Sequence, residues 1–169
     1  MEKKLNLGCG TDKLDGYVGV DSIKTAAVDI VHDLNIFPYP FEDNSVDEIL
    51  MDNVLEHLED VIKVMEELHR ISKKDAIIRI NVPHAKCTGA LADPTHKHFF
   101  LESSFRYFEE DYEYSYYTKA RFNVAEIRMI NFNNDLKHKV RNIIPFKKML
   151  SYFLFNMLDE IQFTLKTIK

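Results

Sequence analysis

The chain has 169 residues, 46% hydrophobic and 29% charged, with a formal net charge of −5. That length supports one globular domain burying about two-thirds of its unfolded surface. The acidic balance argues against a broad nucleic-acid footprint, which is usually basic. No run reaches the roughly 20 apolar residues of a spanning helix.

Two cysteines, Cys9 and Cys87, do not make a disulfide framework. Met1-Glu2-Lys3-Lys4 leads straight into a strand with no secretory leader. A reducing cytoplasm is the expected location.

In chain order, Leu5 and Leu7 open a strand over 3–7, and Gly8-Cys9-Gly10 follows at once. Glycines just past a strand let the backbone turn sharply and approach a ligand closely. A second strand over 17–20 ends in Asp21, whose carboxylate can accept two hydrogen bonds from a ribose diol, worth roughly 1.5–3 kcal/mol each. Only nine residues, Gly8 to Gly16, join these strands. A parallel crossover usually needs about a dozen or more, so this one has no room for a full helix.

Val28–Val31 reads as a third strand, ending at His32-Asp33-Leu34. Pro38 and Pro40 make 35–44 a loop. A fourth strand covers 46–51. Residues 54–71 place Val54, Leu55, Leu58, Val61, Ile62, Met65, Leu68 and Ile71 on one face at the helical period. Asn53 and Glu56 are spaced as a capping box at its start.

A turn over 73–75 precedes a fifth strand over 76–82, stopped by Pro83. The long 84–101 segment is a loop of the kind that is functional or mobile. A short helix is expected over 102–108 and a sixth strand over 121–131. Pro145 is placed to start a helix running to about Leu158, and the alternation in 161–168 gives a last strand.

The pieces LNLGCG (5–10), VGVD (18–21), VHDL (31–34), FPYPFEDNSVDEIL (37–50), NVLEHL (53–58) and INVPH (80–84) together resemble the class I S-adenosylmethionine-dependent methyltransferases, in particular the methyltransferase type 11 kind. They run in the family's order over about half the chain. ADPTHKHFF (92–100) and YYTKARF (116–122) resemble a small subgroup of uncertain substrate. The resemblance implies an α/β fold, a Rossmann-like sandwich with a seven-stranded, mostly parallel sheet, an antiparallel last strand and helices on both faces. It implies a single domain over 1–169, with 1–84 as the cofactor half and 85–169 as the acceptor half. The sequence departs from the family in its short first crossover, in Asp12 where a third glycine often sits, and in Lys73-Lys74-Asp75 where paired glycines are common. It also starts at the first strand, so 84–101 and 109–120 must supply any cover over the substrate.

By the same resemblance, S-adenosylmethionine is the cofactor. Gly8, Cys9 and Gly10 would lie at its methionyl end. Asp21 and the adjoining Ser22 would hold the ribose, and Asp33 and Leu34 the adenine. Asn53 is read either as facing the methionine or as the helix cap. Methyl transfer from a sulfonium needs chiefly alignment and exclusion of water, with a base where the acceptor is a hydroxyl or an amine.

Histidine suits that role near neutral pH, and the choice falls on His96 or His84, with His57 read as structural. His84, Cys87, Asp93, His96 and His98 are all chemically able to ligate zinc. Their spacing matches no strong pattern, so no metal is assigned. The aromatic stretch Tyr107–Tyr117 is read first as cover packed on the sheet and second as an acceptor-pocket wall.

The expected acceptor is a small molecule or glycan, with no nucleic acid. The 145–158 helix is read as core or a homodimer seam, with attachment to a membrane surface a lesser reading. The rival to an enzyme is a non-catalytic protein that binds S-adenosylmethionine or a nucleoside as a partner or sensor.

Overall fold

The computed structural model describes residues 2–132 and 134–169. Strands β1 (Lys4–Leu7), β2 (Val18–Asp21), β3 (Ile30–Val31), β4 (Val46–Asp52), β5 (Ser72–Pro83), β6 (Arg121–Ile130) and β7 (Glu160–Ile168) form one sheet in the order β3-β2-β1-β4-β5-β7-β6. The pairs from β3 through β5 are parallel, and β7 runs antiparallel to both β5 and β6. The chain steps outward from β1 in both directions. The β1–β4 boundary is therefore a topological switch point, with a crevice outside the strands' carboxyl ends.

Across the sheet Leu5, Ile49, Ile78 and Leu165 stand in register, and all are fully buried. On this face lies α1 (Val61–Ile71), with Val64, Met65, Leu68 and Ile71 buried in the same core. Each fully buried aliphatic side chain there contributes about 1.5–3 kcal/mol. Phe100, Phe105, Phe108 and Phe122 extend the core, with the Phe105 and Phe163 rings 4.5 Å apart.

The next row reads Asn6, Leu50, Arg79 and Thr164, and an ion pair joins Arg79 to Glu48 beside it. Helices were expected on both faces. Among the described residues only α1 is longer than seven residues, and it covers the apolar face. The opposite row is too polar to seat an amphipathic helix, and the β1–β2 and β2–β3 connections are too short to contain one.

The expected 54–71 helix is broken. Residues Leu55–His57 form one 3-10 turn, Leu58 is extended, and α1 starts after Asp60, whose carboxylate accepts the Lys63 N–H at 3.0 Å. A capping carboxylate is worth about 1 kcal/mol, and it sets the start that apolar periodicity alone could not locate. Near the other end of α1, Arg70 bonds Glu67, Asp43 and the carbonyls of Tyr39 and Phe41, tying the 37–43 loop to the helix. Burial pushes the Glu67 carboxyl up, but Arg70 and the Tyr39 N–H outweigh it and hold it below the usual range.

Strand β5 begins directly after α1, and the expected turn becomes a register shift, with Asp75 at φ 65°. The 102–108 helix is a 3-10 turn over Ser104–Phe108. The 145–158 helix does not form as one element. The chain has α2 (Thr88–Ala92) before β6, then α3 (Leu136–Asn142) and α4 (Lys147–Leu150), followed by turns through Met157. Phe146 sits at φ 57°, outside helical space, which separates α3 from α4.

Candidate functional site

Two cavities meet at the carboxyl end of β4. The smaller, about 290 Å³, is lined by Gly8, Asp21, Ser22, Asp33, Leu34, Asn35, Asn53, Val54, His57 and Leu58. It gathers the segments after β1, β2, β3 and β4. Gly8 has φ +69°, and a Cβ there would come within 2.3 Å of a Val54 methyl. Only glycine lets the first turn pass so close to the segment after β4. Asp21 is fixed from both sides: the Gly10 N–H donates to one oxygen at 2.9 Å and the Ile23 N–H to the other at 3.0 Å. Each oxygen keeps lone-pair capacity for a ligand hydroxyl.

Asp33 accepts from the Asn35 backbone N–H at 2.9 Å, and Asn35 in turn accepts the Glu59 N–H. The Leu34 carbonyl is held by the buried Tyr39 hydroxyl. The sequence-predicted Gly8, Asp21, Ser22, Asp33, Leu34 and Asn53 thus share one wall. Cys9 and Gly10 stand behind it: the buried Cys9 thiol points to the Ala27 carbonyl, and Gly10 acts through its bond to Asp21. Burial pushes the Cys9 thiol up.

Asn53 is not the helix cap. It has φ 52°, and its amide donates to Glu160 at 3.0 Å. That turn places Asn53 and His57 on the walls of both cavities. The larger cavity, about 770 Å³, is lined by Asn53, Glu56 and His57, by Pro83, Cys87, Thr88, Gly89, Asp93 and His96, and by a third group that includes Phe132, His138, Arg141, Asn156 and Asp159. The last group was not legible in the sequence, since it comes from α3 and from the turns before β7. Arg141 there is paired with Asp159, and Asn156 accepts from Thr88.

Glu56 is 1% exposed, and neither carboxylate oxygen has a hydrogen-bond partner among the described residues. Burial pushes its carboxyl up to about 7, with His96 pulling the other way. His96 faces it, Nε2 being 4.0 Å from Glu56 Oε1, while Nδ1 lies 2.8 Å from the Ala90 carbonyl. A carbonyl only accepts, so the His96 proton is on Nδ1 and Nε2 carries the lone pair.

His57 is set the same way. Thr95 donates its hydroxyl to Asp93 at 2.6 Å, so at 2.9 Å it accepts from His57 Nδ1–H, leaving His57 Nε2 bare. The two imidazole rings lie edge to face, 4.7 Å apart. The Lys97 and His98 N–H groups both donate to the Glu56 carbonyl, fastening the loop to the 3-10 turn.

His84 lines neither cavity. It is buried, its Nδ1 accepts the Lys86 N–H at 3.0 Å, and Nε2 faces Glu102 at 3.7 Å. Burial lowers its pKa. His98 bonds the Leu58 carbonyl. The Tyr107–Tyr117 stretch lies off the larger cavity, and Arg121 is occupied by the Ser115, Thr118 and Ala120 carbonyls.

Residues 5–80 match the family model described as methyltransferase domain. This stretch is similar to methyltransferase domains. The fold is shared with solved structures over nearly the whole chain. A methyltransferase of Archaeoglobus fulgidus described as dependent on S-adenosylmethionine aligns with 98% of this chain and 86% of its own, at 16% identity and TM-score 0.61. The YcgJ protein of Bacillus subtilis aligns with 99% of this chain and 92% of its own, at 15% identity and TM-score 0.63. A Haloferax volcanii protein solved with the Trm112 methyltransferase activator aligns at 98% and 82% coverage, 16% identity and TM-score 0.61. Among curated proteins nothing matches.

The smaller cavity has a donor set suited to S-adenosylmethionine. A fixed carboxylate, Asp21, suits a ribose diol; Asp33 beside apolar Leu34 suits an aminopurine edge. No helix is long and apolar enough to cross a membrane among the described residues.

Proposed function

We propose that the methyltransferase moves the cofactor's methyl group to an oxygen or nitrogen of a small molecule or glycan held in the larger cavity. The observation that carries this reading is the shared wall, since Asn53 and His57 border both cavities. The cofactor would supply an electrophilic methyl on a sulfonium whose sulfur leaves neutral. Asp21 and Asp33 hold its nucleoside, and Asn53 spans the join between the two cavities.

His96, which lines the larger cavity with its Nε2 lone pair bare, would take the proton that the acceptor loses as it receives the methyl group. Glu56 beside it stabilises the resulting imidazolium. His84, turned away from the cavity, is not assigned this role. We take 1–169 as one domain, with the acceptor half after residue 84, working in a reducing cytoplasm that keeps the buried Cys9 and Cys87 free.

The exposed apolar side chains Ile143, Phe146, Met149 and Phe153 are read as a seam for a second copy of the chain. Analytical ultracentrifugation of Phe153→Glu against wild type tests it, the variant being expected as monomer. The helix-free first crossover favours one second reading, a protein that binds the cofactor without turnover. Calorimetric titration with S-adenosylmethionine and S-adenosylhomocysteine, followed by an acceptor screen reading S-adenosylhomocysteine release, separates the two. Binding with no release across hydroxyl and amine acceptors supports the second reading. Absence of binding by folded protein removes both.

A further inference from the structure

We propose that Glu56, His57 and His96 form a binding site for one divalent transition-metal ion of the zinc class, with its remaining coordination positions open to the larger cavity. One ligand atom from each residue, a carboxylate oxygen or a ring nitrogen, lies within 4.8 Å of the other two. Both imidazoles are prepared in the same way: the Ala90 carbonyl and the Thr95 hydroxyl take the Nδ1 protons, so both Nε2 lone pairs are free. Ring nitrogens that ligate a metal typically donate their other N–H to such a partner. Asp93 completes the support by accepting the Thr95 hydroxyl.

The independent observation is Glu56. A carboxylate 1% exposed with both oxygens unpartnered is costly to bury. A cation bound by it and by the two Nε2 atoms would satisfy all three groups together. Two nitrogens and one carboxylate are the donor set of open zinc sites, whereas magnesium and calcium take oxygen ligands. Ligand bonds of about 2.0–2.2 Å require the donors to draw together by roughly an ångström. Side-chain torsions can supply this while the Lys97 and His98 N–H bonds to the Glu56 carbonyl hold the loop in place.

Glu56, His57 and His96 all line the larger cavity, and His57 also borders the smaller one. A bound ion takes the His96 Nε2 lone pair, so the proton-accepting role given to His96 above belongs to the metal-free protein. In the loaded protein an open position on the ion would favour an oxygen-bearing acceptor next to the cofactor, a consequence that rests on the methyl-transfer reading, whereas the metal site does not.

The test uses untagged protein stripped with a chelator and then titrated with Co²⁺ by visible absorption and with Zn²⁺ by calorimetry. The expected result is one equivalent bound, with ligand-field bands that Zn²⁺ abolishes. Glu56→Gln and His96→Ala should each weaken binding by about a hundredfold or more, given that loss of a mere supporting residue costs about 10–100-fold. His98→Ala should bind as wild type.

Circular dichroism reports whether each variant is folded, and the near-isosteric Glu56→Gln decides the matter if His96→Ala unfolds. No saturable uptake by wild type would overturn the proposal, as would uptake unchanged in folded Glu56→Gln. Titration of the stripped protein with S-adenosylhomocysteine is scored separately. Its failure would count against the methyltransferase reading and leave the metal result standing.

Discussion

The two cavities are built by different means. The smaller cavity, proposed to hold the cofactor, is made almost entirely of turns that directly follow β1, β2, β3 and β4, and its main determinants are backbone ones: Gly8 at positive φ, and Asp21 held by two N–H groups. The larger cavity, proposed to hold the acceptor, is made of side chains from three separated stretches, and its determinants are a buried acid and two oriented imidazoles. Short-range chemistry builds the smaller cavity, whereas distant segments are needed to build the larger one.

His96→Ala gives the sharpest separation. Turnover on the true acceptor should fall about 10²-fold or more, while S-adenosylhomocysteine affinity by calorimetry stays within about twofold. Equal loss of both would merge the two regions into one structural unit.

Gly8→Ala should act in the opposite sense. A Cβ would meet Val54 at 2.3 Å in a left-handed conformation. Strain and overpacking of this kind cost about 1–3 kcal/mol each, read as a lowered urea midpoint together with lost cofactor binding. A variant as stable as wild type would show that the first turn is not wedged against the segment after β4.

Asp21→Ala is expected to be milder, because the fold supports the carboxylate more than it depends on it. Cofactor binding should weaken by at least about tenfold, or about 1.4 kcal/mol. Unchanged affinity would move the ribose elsewhere.

The smallest effect concerns pH. Burial raises the Glu160 pKa, with Asp52 and Asp159 adding to it and Asn53 opposing. An acid raised in the folded state favours folding below its ordinary value of 4.5, and that contribution is lost as pH rises through the folded pKa. Glu160→Gln should flatten this decline in urea melts. Glu67, held low by Arg70, should show the reverse, its contribution present above 4.5 and lost as pH falls. If Glu67→Gln and Glu160→Gln shifted the profile alike, the contrast between the frame and the acceptor side would fail.

Much of the cofactor side was legible because its signals are short-range. LNLGCG and VGVD encode strand, turn and carboxylate within a few residues, and nine residues between strands exclude a crossover helix by length alone. The acceptor side was legible only in fragments. His96 could be named as a candidate base. Its partner Glu56 was read as half of a capping box, because spacing cannot show that a carboxylate is buried, and the Asp60 cap went unread under a continuous apolar period. The 145–158 stretch is apolar enough for a helix, yet Phe146 in left-handed space leaves only short turns of helix there.

By itself the sequence determined the succession of strands along the chain, the glycine turn and the acid that follows it, since each depends on neighbours in the chain. Tertiary structure decided that Asn53 turns between two cavities, that α3 and the turns before β7 close the acceptor side, and that Glu56, His57 and His96 converge. Those outcomes depend on packing between residues as far apart as Asn53 and Glu160, which no local pattern encodes.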